Sequence, residues 1–219
     1  MQRLFDILFS TIAIICFSPF LIIIMLILLC TGEHEIFYLQ KRIGKNGKEF
    51  GVIKFATMLK DSPNIGTGTI TTRNDPRVLP FGSFLRKTKL NELPQLFNIF
   101  IGNMSVIGPR PLVKKGYDNY SEEVKSYINK VTPGLSGIGS IVFRDEEKYF
   151  NDPSINAAEF YKNNIQPYKG LLEIWYVKHK SIILYFKLII LTVVCVLNSN
   201  STLYLKWLKD LPERPKELY

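Results

Sequence analysis

The residues best suited to chemistry lie between Phe84 and Pro111. Phe84-Leu85-Arg86-Lys87-Thr88-Lys89-Leu90-Asn91-Glu92-Leu93-Pro94-Gln95-Leu96-Phe97-Asn98-Ile99 is followed by Gly102-Asn103-Met104-Ser105-Val106-Ile107-Gly108-Pro109-Arg110-Pro111. Glu92 stands just before a predicted helix start, because Pro94 suits a first helical turn. Arg86, Lys87, Lys89 and Arg110 flank that carboxylate with positive charge. Helix N-termini and guanidinium forks are natural phosphate binders. A carboxylate in such company holds Mg²⁺ or attacks phosphorus. A surface salt-bridge network would use the same residue types, and physics alone does not separate the two readings.

The elements that must position this block read as an α+β fold, mainly helical with a short β-hairpin. Residues 36–43 and 50–55 are β-prone and flank Lys45-Asn46-Gly47-Lys48, where Asn-Gly tolerates the positive φ of a type I′ turn. Residues 61–76 hold Gly, Thr, Asn, Asp and Pro and read as loop. Helices are expected over 81–88, 94–101, 121–130, 159–164 and 171–179. The third opens with a capping Ser121 and two acids, Glu122 and Glu123. Residues 132–139 carry four Gly/Pro residues and are expected to be irregular.

No charged residue occurs from Ile7 to Cys30. As a helix this run reaches roughly 35 Å, enough for a bilayer and too long for a signal-peptide core. Pro19, after Ser18, divides it into two pieces each about one leaflet deep. A Pro-broken re-entrant helix and a kinked span both fit. Lys41, Arg42, Lys45, Lys48, Lys54 and Lys60 come after the run, against Glu33, Glu35 and Glu49, which predicts a cytoplasmic location for the adjoining domain. The expected division is a membrane helix over 1–32 and a domain over 33–219. A second apolar run, 182–197, is short and contains Lys187, so it reads as buried or interfacial. Residues 203–208, with Lys206 among Leu, Tyr and Trp, read as a membrane-surface helix or an ordinary amphipathic one.

The 219 residues suffice for one or two domains, and the net charge is +9. The basic residues are dispersed and no nucleic-acid motif accompanies them, so anionic headgroups and phosphate substrates are the expected partners, not nucleic acid. Cys16, Cys30 and Cys195 lie in or beside apolar runs and are expected to be buried, reduced thiols. No phosphate loop and no Gly-x-Gly-x-x-Gly is present, and His34 and His179 have no partner at metal spacing.

The block resembles the signature of the bacterial sugar transferases, the monotopic phosphoglycosyl transferases. The similarity also covers the apolar helix with Ser18-Pro19, Gln40-Lys41-Arg42-Ile43-Gly44, Lys54-Phe55, Asn74-Asp75-Pro76-Arg77, Pro133-Gly134-Leu135-Ser136-Gly137 and Trp175-Tyr176-Val177. The resemblance implies transfer of a sugar phosphate from a UDP-sugar to polyprenol (undecaprenyl) phosphate, giving polyprenol-diphosphate-sugar and UMP. That is the first membrane step of a surface glycan such as exopolysaccharide, O-antigen, capsule or glycoprotein glycan. It implies Mg²⁺, a re-entrant helix broken at Ser18-Pro19, the bacterial inner membrane, and a site on the cytoplasmic face. In such enzymes the aspartate of an Asp-Glu dyad forms a covalent phosphosugar intermediate, and the acceptor then takes the phosphosugar. By position, Glu92 matches the metal-binding glutamate, and Lys54, Arg86 and Arg110 match phosphate-contacting residues. Arg144 matches an arginine of the nucleotide-sugar site, or is a solvated ion-pair residue beside Asp145, Glu146 and Glu147. A homodimer is left open.

The chain departs from this pattern where it matters most. Asn91 occupies the place of the nucleophilic aspartate, and an amide oxygen is a poor nucleophile. Asn103, Ala56 and Lys178 also replace usual family residues, while Glu173 keeps an upstream acid. Three readings are open. Glu92 or a nearby acid, or the acceptor phosphate itself, makes the attack. Asn91 is an introduced change. Or the protein is a catalytically silent, membrane-anchored homologue that binds nucleotide-sugar or a partner enzyme.

Overall fold

A computed structural model describes residues 1–65, 75–146, 149 and 157–218. It is a mainly helical α+β structure with a long apolar N-terminal helix and two small sheets. In chain order the elements are α1 (Gln2–Cys30), β1 (Phe37–Ile43), β2 (Glu49–Phe55), α2 (Pro80–Lys87), α3 (Gln95–Ile101), β3 (Ser105–Ile107), α4 (Lys114–Asp118), α5 (Glu122–Ile128), β4 (Gly134–Ser136), α6 (Ile138–Val142), α7 (Ala157–Phe160), α8 (Gln166–Lys178), α9 (Ile182–Leu197) and α10 (Leu203–Trp207).

Helix α1 runs through Pro19 without interruption, where the sequence predicts a break. Proline has no N–H to give to the carbonyl of Ile15, four residues back. The Ser18 hydroxyl donates to that carbonyl instead, at 2.8 Å. The Ser-Pro pair thus leaves no stranded acceptor inside an apolar helix. The most apolar 18 residues of α1 have a mean hydropathy of 3.1 and are only 17% buried. That exposure excludes a core helix of a soluble protein and is consistent with membrane association. Cys16 and Cys30 are exposed and only Cys195 is buried, so the expectation of three buried thiols is corrected.

The chain forms two compact units. The first comprises Ile7–Lys41 and Gly51–Ile101. Its core joins Leu21, Ile24 and Leu28 of α1 to Phe55 of β2 and Leu85 of α2, with Leu90, Leu93 and Phe97 packed against them. Asn98 binds helix α3 to strand β2 as a neighbouring strand would. It accepts from the Ile53 N–H at 2.8 Å and donates to the Gly51 carbonyl at 2.8 Å. Asp75 and Arg77 form a buried two-pronged ion pair at 2.9 and 2.6 Å, and Arg77 also donates to the carbonyls of Ser62 and Ile65. Asn74 of the same motif lies outside the described residues, as does most of the loop expected over 61–76.

The second unit comprises Met1–Asp6, Arg42–Phe50 and Gly102–Tyr219. The hairpin tip has Asn46 at φ 59° and Gly47 at φ 69°, the positive pair that Asn-Gly was expected to supply. The Asn46 N–H donates to the Asn129 carbonyl at 2.9 Å. The predicted cap is present too: the Ser121 hydroxyl accepts from the Val124 N–H at the start of α5. Residues 132–139 are not irregular. β4 pairs in parallel with β3, Ser105 opposite Gly134 and Ile107 opposite Ser136, and α6 begins at once after it. A Cβ on Gly134 would overlap the Gly108 backbone nitrogen, so this Gly/Pro-rich stretch is a close-approach strand.

The head of α1 is fastened within this unit. Buried Asp6 accepts from the Ser105 hydroxyl at 3.0 Å, the Val106 N–H at 2.9 Å and the Tyr185 hydroxyl at 2.8 Å. Burial, and next the Asp6 bond, push the Tyr185 phenol up, which keeps it a donor. Glu173 of α8 is also buried, and its Oε2 has no hydrogen-bond partner. Desolvation pushes its carboxyl up to about 8, against the opposing effects of the Arg110 backbone N–H and Lys169.

Two predictions concern stability. Asn98→Ala strands a buried N–H and a buried carbonyl of β2, and thermal or denaturant unfolding should show a loss of about 2–4 kcal/mol. For Glu173, the folded-state value of about 8 lies above the ordinary value of 4.5, so the folded state binds the proton more tightly. Stability relative to Glu173→Gln should therefore fall as pH rises from about 4.5 to about 8 and level off above that. Unfolding of both proteins at pH 5, 7 and 9 checks this; parallel profiles would show that Glu173 titrates normally.

Candidate active site

The site is built on the rim of the first unit's core. Phe55 and Leu85 are core residues and Leu90 packs against them; Lys54, Arg86 and Asn91 are their chain neighbours. Lys54 lies half-buried on β2. Arg86 lies in the last turn of α2, and its guanidinium reaches the Thr57 hydroxyl at a long 3.4 Å. Thr57 is itself an organiser. Its carbonyl accepts from the Leu79 N–H at 3.0 Å, just ahead of α2. A Cβ on Gly82 would overlap that same carbonyl, so α2 can lie this close to Thr57 only with glycine there.

The chain turns sharply from α2 into the Asn91-Glu92 pair. Lys89 takes the left-handed conformation, φ 61° and ψ 10°, and opens a 3₁₀ turn over Leu90–Glu92. The Glu92 N–H closes on the Lys89 carbonyl at 3.1 Å, and α3 begins at Gln95. The carboxylate therefore stands just before a helix, as expected. Glu92 is half-buried, whereas Asn91 is only 8% exposed. Asn91 Oδ1 is buried and makes no hydrogen bond. A buried amide oxygen without a donor is costly.

Four expected site residues (Lys54, Arg86, Asn91 and Glu92) thus share one unit. Arg110 and Arg144 belong to the other. Arg110 comes after β3 in Gly108-Pro109-Arg110-Pro111, where the Gly108 N–H bonds the Ser136 carbonyl and the Gly134 N–H bonds the Pro109 carbonyl. Its exposed side chain borders a small cleft with Tyr117 and Asn129. Arg144 is exposed beyond α6. Glu146, a candidate ion partner for it, pairs instead with Lys169 at 2.6 Å, and Glu147 lies outside the described residues.

Sequence reasoning did not single out Thr57, Asp6 or the stapling role of Asn98. Only Thr57 and Asp6 carried a weak signal, as polar residues next to apolar runs. Among the described residues no three His, Cys, Asp or Glu side chains cluster as a metal site. The donors at the turn are hard oxygens, the Asn91 amide and the Glu92 carboxylate. They fit a Mg²⁺ ion that keeps most of its shell for water and phosphate.

Residues 1–199 match the bacterial sugar transferase family. The exopolysaccharide production protein ExoY of Rhizobium meliloti is 36% identical over 162 residues, 68% of this chain and 71% of that protein. The undecaprenyl-phosphate galactose phosphotransferase of Salmonella typhimurium is 33% identical over 178 residues, covering 75% of this chain and 37% of the relative. The UDP-glucose:undecaprenyl-phosphate glucose-1-phosphate transferase of Klebsiella pneumoniae is 38% identical over 142 residues, 64% of this chain and 30% of the relative. The chain thus spans about a third of the two transferases. With a match over residues 1–199 that takes in both units and the Asn91-Glu92 turn, the chain belongs to the bacterial sugar transferase family.

Proposed function

We propose that this protein moves a sugar phosphate from a UDP-sugar to polyprenol phosphate, releasing UMP, as the first membrane step of a surface glycan. The observation that carries the reading is the Asn91-Glu92 turn at the head of α3, set on one core rim with Arg86 and Lys54. Arg86 and Lys54 bind the anionic diphosphate and offset its charge. By the same family resemblance Arg110 is a further phosphate-contacting residue and Arg144 a residue of the nucleotide-sugar site. Glu92, with the Asn91 oxygen, would hold Mg²⁺, which when bound neutralises phosphate charge and eases departure of UMP. The names of the relatives, which specify undecaprenyl phosphate and exopolysaccharide, support the same substrates here.

Residues 1–32 form the membrane helix and 33–219 the transferase domain, at the cytoplasmic face of the bacterial inner membrane. Helix α1 is re-entrant. Among the described residues only α1 is long and apolar enough to cross a membrane, so the chain beyond Cys30 stays on one face. Asp6 hydrogen-bonds Ser105, Val106 and Tyr185, all in that later part. Head and tail of α1 then share a face, which requires a bend within the continuous helix, and Ser18-Pro19 is the place for one. The exposed Ile183, Ile190 and Val193 of α9 and Leu205 and Trp207 of α10 suit the interface.

A second reading rests on Asn91 alone: a silent homologue that binds nucleotide-sugar without turning it over. UMP release separates the two. Purified protein in nanodiscs, with Mg²⁺, undecaprenyl phosphate and a panel of UDP-sugars, should release UMP. Glu92→Gln should abolish the release; full activity in that variant would remove Glu92 from the site. Binding without release would favour the silent homologue. Topology is tested separately: tags at residues 1 and 219 should both be accessible in inverted vesicles and both protected in spheroplasts. Tags on opposite faces would mean that α1 spans.

A further inference from the structure

Whether this chain uses a covalent enzyme intermediate can be argued from the turn at Asn91, given the transfer reading above. At position 91 the fold buries a side-chain oxygen and leaves it unpaired, as it does Glu173 Oε2 on α8. The oxygen there belongs to an amide. Its lone pairs are delocalised, it bears no charge, and attack on phosphorus would yield a high-energy imidate. Glu92 cannot take over that place by rotating its side chain. In a 3₁₀ turn successive residues project about 120° apart. The register of this turn is held by the Glu92 N–H on the Lys89 carbonyl, the Leu93 N–H on the Leu90 carbonyl, and the left-handed Lys89. Glu92 is half-buried, whereas Asn91 is buried.

We infer that this chain transfers the phosphosugar in one step, with Asn91 Oδ1 lining the site as a neutral acceptor for a ligand donor or cation. A phosphate oxygen of polyprenol phosphate attacks the β-phosphorus of the UDP-sugar. The new P–O bond completes the lipid diphosphate sugar. The bond from the β-phosphorus to the bridging oxygen breaks, and UMP leaves with that electron pair. No protein atom becomes bonded to phosphorus, and both substrates must be present together.

Isotope exchange tests the inference directly. The full chain in nanodiscs is given radiolabelled UMP and UDP-glucose or UDP-galactose, with and without undecaprenyl phosphate. UMP release with the acceptor is the control for the transfer reading, and its absence would overturn that reading and the one-step route together. Given release, the expected result is no label in the UDP-sugar without acceptor and no sugar-phosphate adduct by intact mass. Asn91→Asp, which restores a carboxylate at the buried position, should acquire both exchange and adduct. Acceptor-independent exchange in the unaltered chain, or an adduct mapped to Glu92, would overturn the one-step route while leaving the transfer reading intact.

Discussion

The rest of the structure depends on one buried carboxylate. Asp6 sits one residue before an uncharged run of 24 residues, and it is satisfied by three donors that are far away in sequence. A polar group buried in this way is tolerated when it is hydrogen-bonded, and here all three donors converge on Oδ1. The three donors come from β3, the residue at its centre, and α9, so the anchor fixes the first turn of α1 against the β3–β4 pair and α9. The other end of α1 is fixed by a different force: Leu21, Ile24 and Leu28 bury apolar surface against Phe55 and Leu85. Between these two attachments Ile12, Ile15, Phe17 and Phe20 are exposed, which is consistent with membrane association.

Attachment at both ends has a chemical consequence. A lipid phosphate lies at headgroup depth, and an enzyme acting on it must hold its catalytic groups there. The core that grips the second half of α1 is the same core whose rim carries Lys54, Arg86 and the Asn91-Glu92 turn. The second half of α1 and the elements that carry Lys54, Arg86 and the Asn91-Glu92 turn are therefore placed by one set of apolar side chains. Asn98 adds stiffness by tying α3 to β2, and so fixes the element that starts just after Glu92.

Local signals carried much of this into the sequence. The hairpin is legible from Asn-Gly between β-prone runs, α2 and α3 from their apolar spacing and Pro94, and the α5 cap from Ser121. The illegible elements depend on partners distant along the chain. β4 looked irregular because Gly134 and Gly137 weaken any local propensity, yet parallel pairing with β3 requires a residue without a side chain at 134. Thiol burial was misread because an apolar neighbourhood in sequence means core in a soluble chain but lipid-facing surface on α1. The block around Glu92 was legible as phosphate chemistry from residue types alone. That Asn91 points a buried, unpaired oxygen inward required coordinates, since a 3₁₀ turn after a left-handed lysine has no reliable sequence mark.

The amide at position 91 then acquires a positive role. A polyprenol phosphate carries between one and two negative charges near neutral pH. To reach the donor's β-phosphorus it must approach a diphosphate that is also anionic. A carboxylate at position 91 would add a third negative group to that encounter, tolerable only if the carboxylate itself attacks first. With an amide there that repulsion is absent, and the Asn91-Glu92 pair holds one carboxylate, in the same unit as the cations Arg86 and Lys54. Lys54, Arg86 and Glu92 are half-buried, and interactions between partly buried charges are stronger than in bulk solvent. Losing the nucleophile and losing the repulsion are thus one substitution, and the second loss favours direct meeting of the two phosphates.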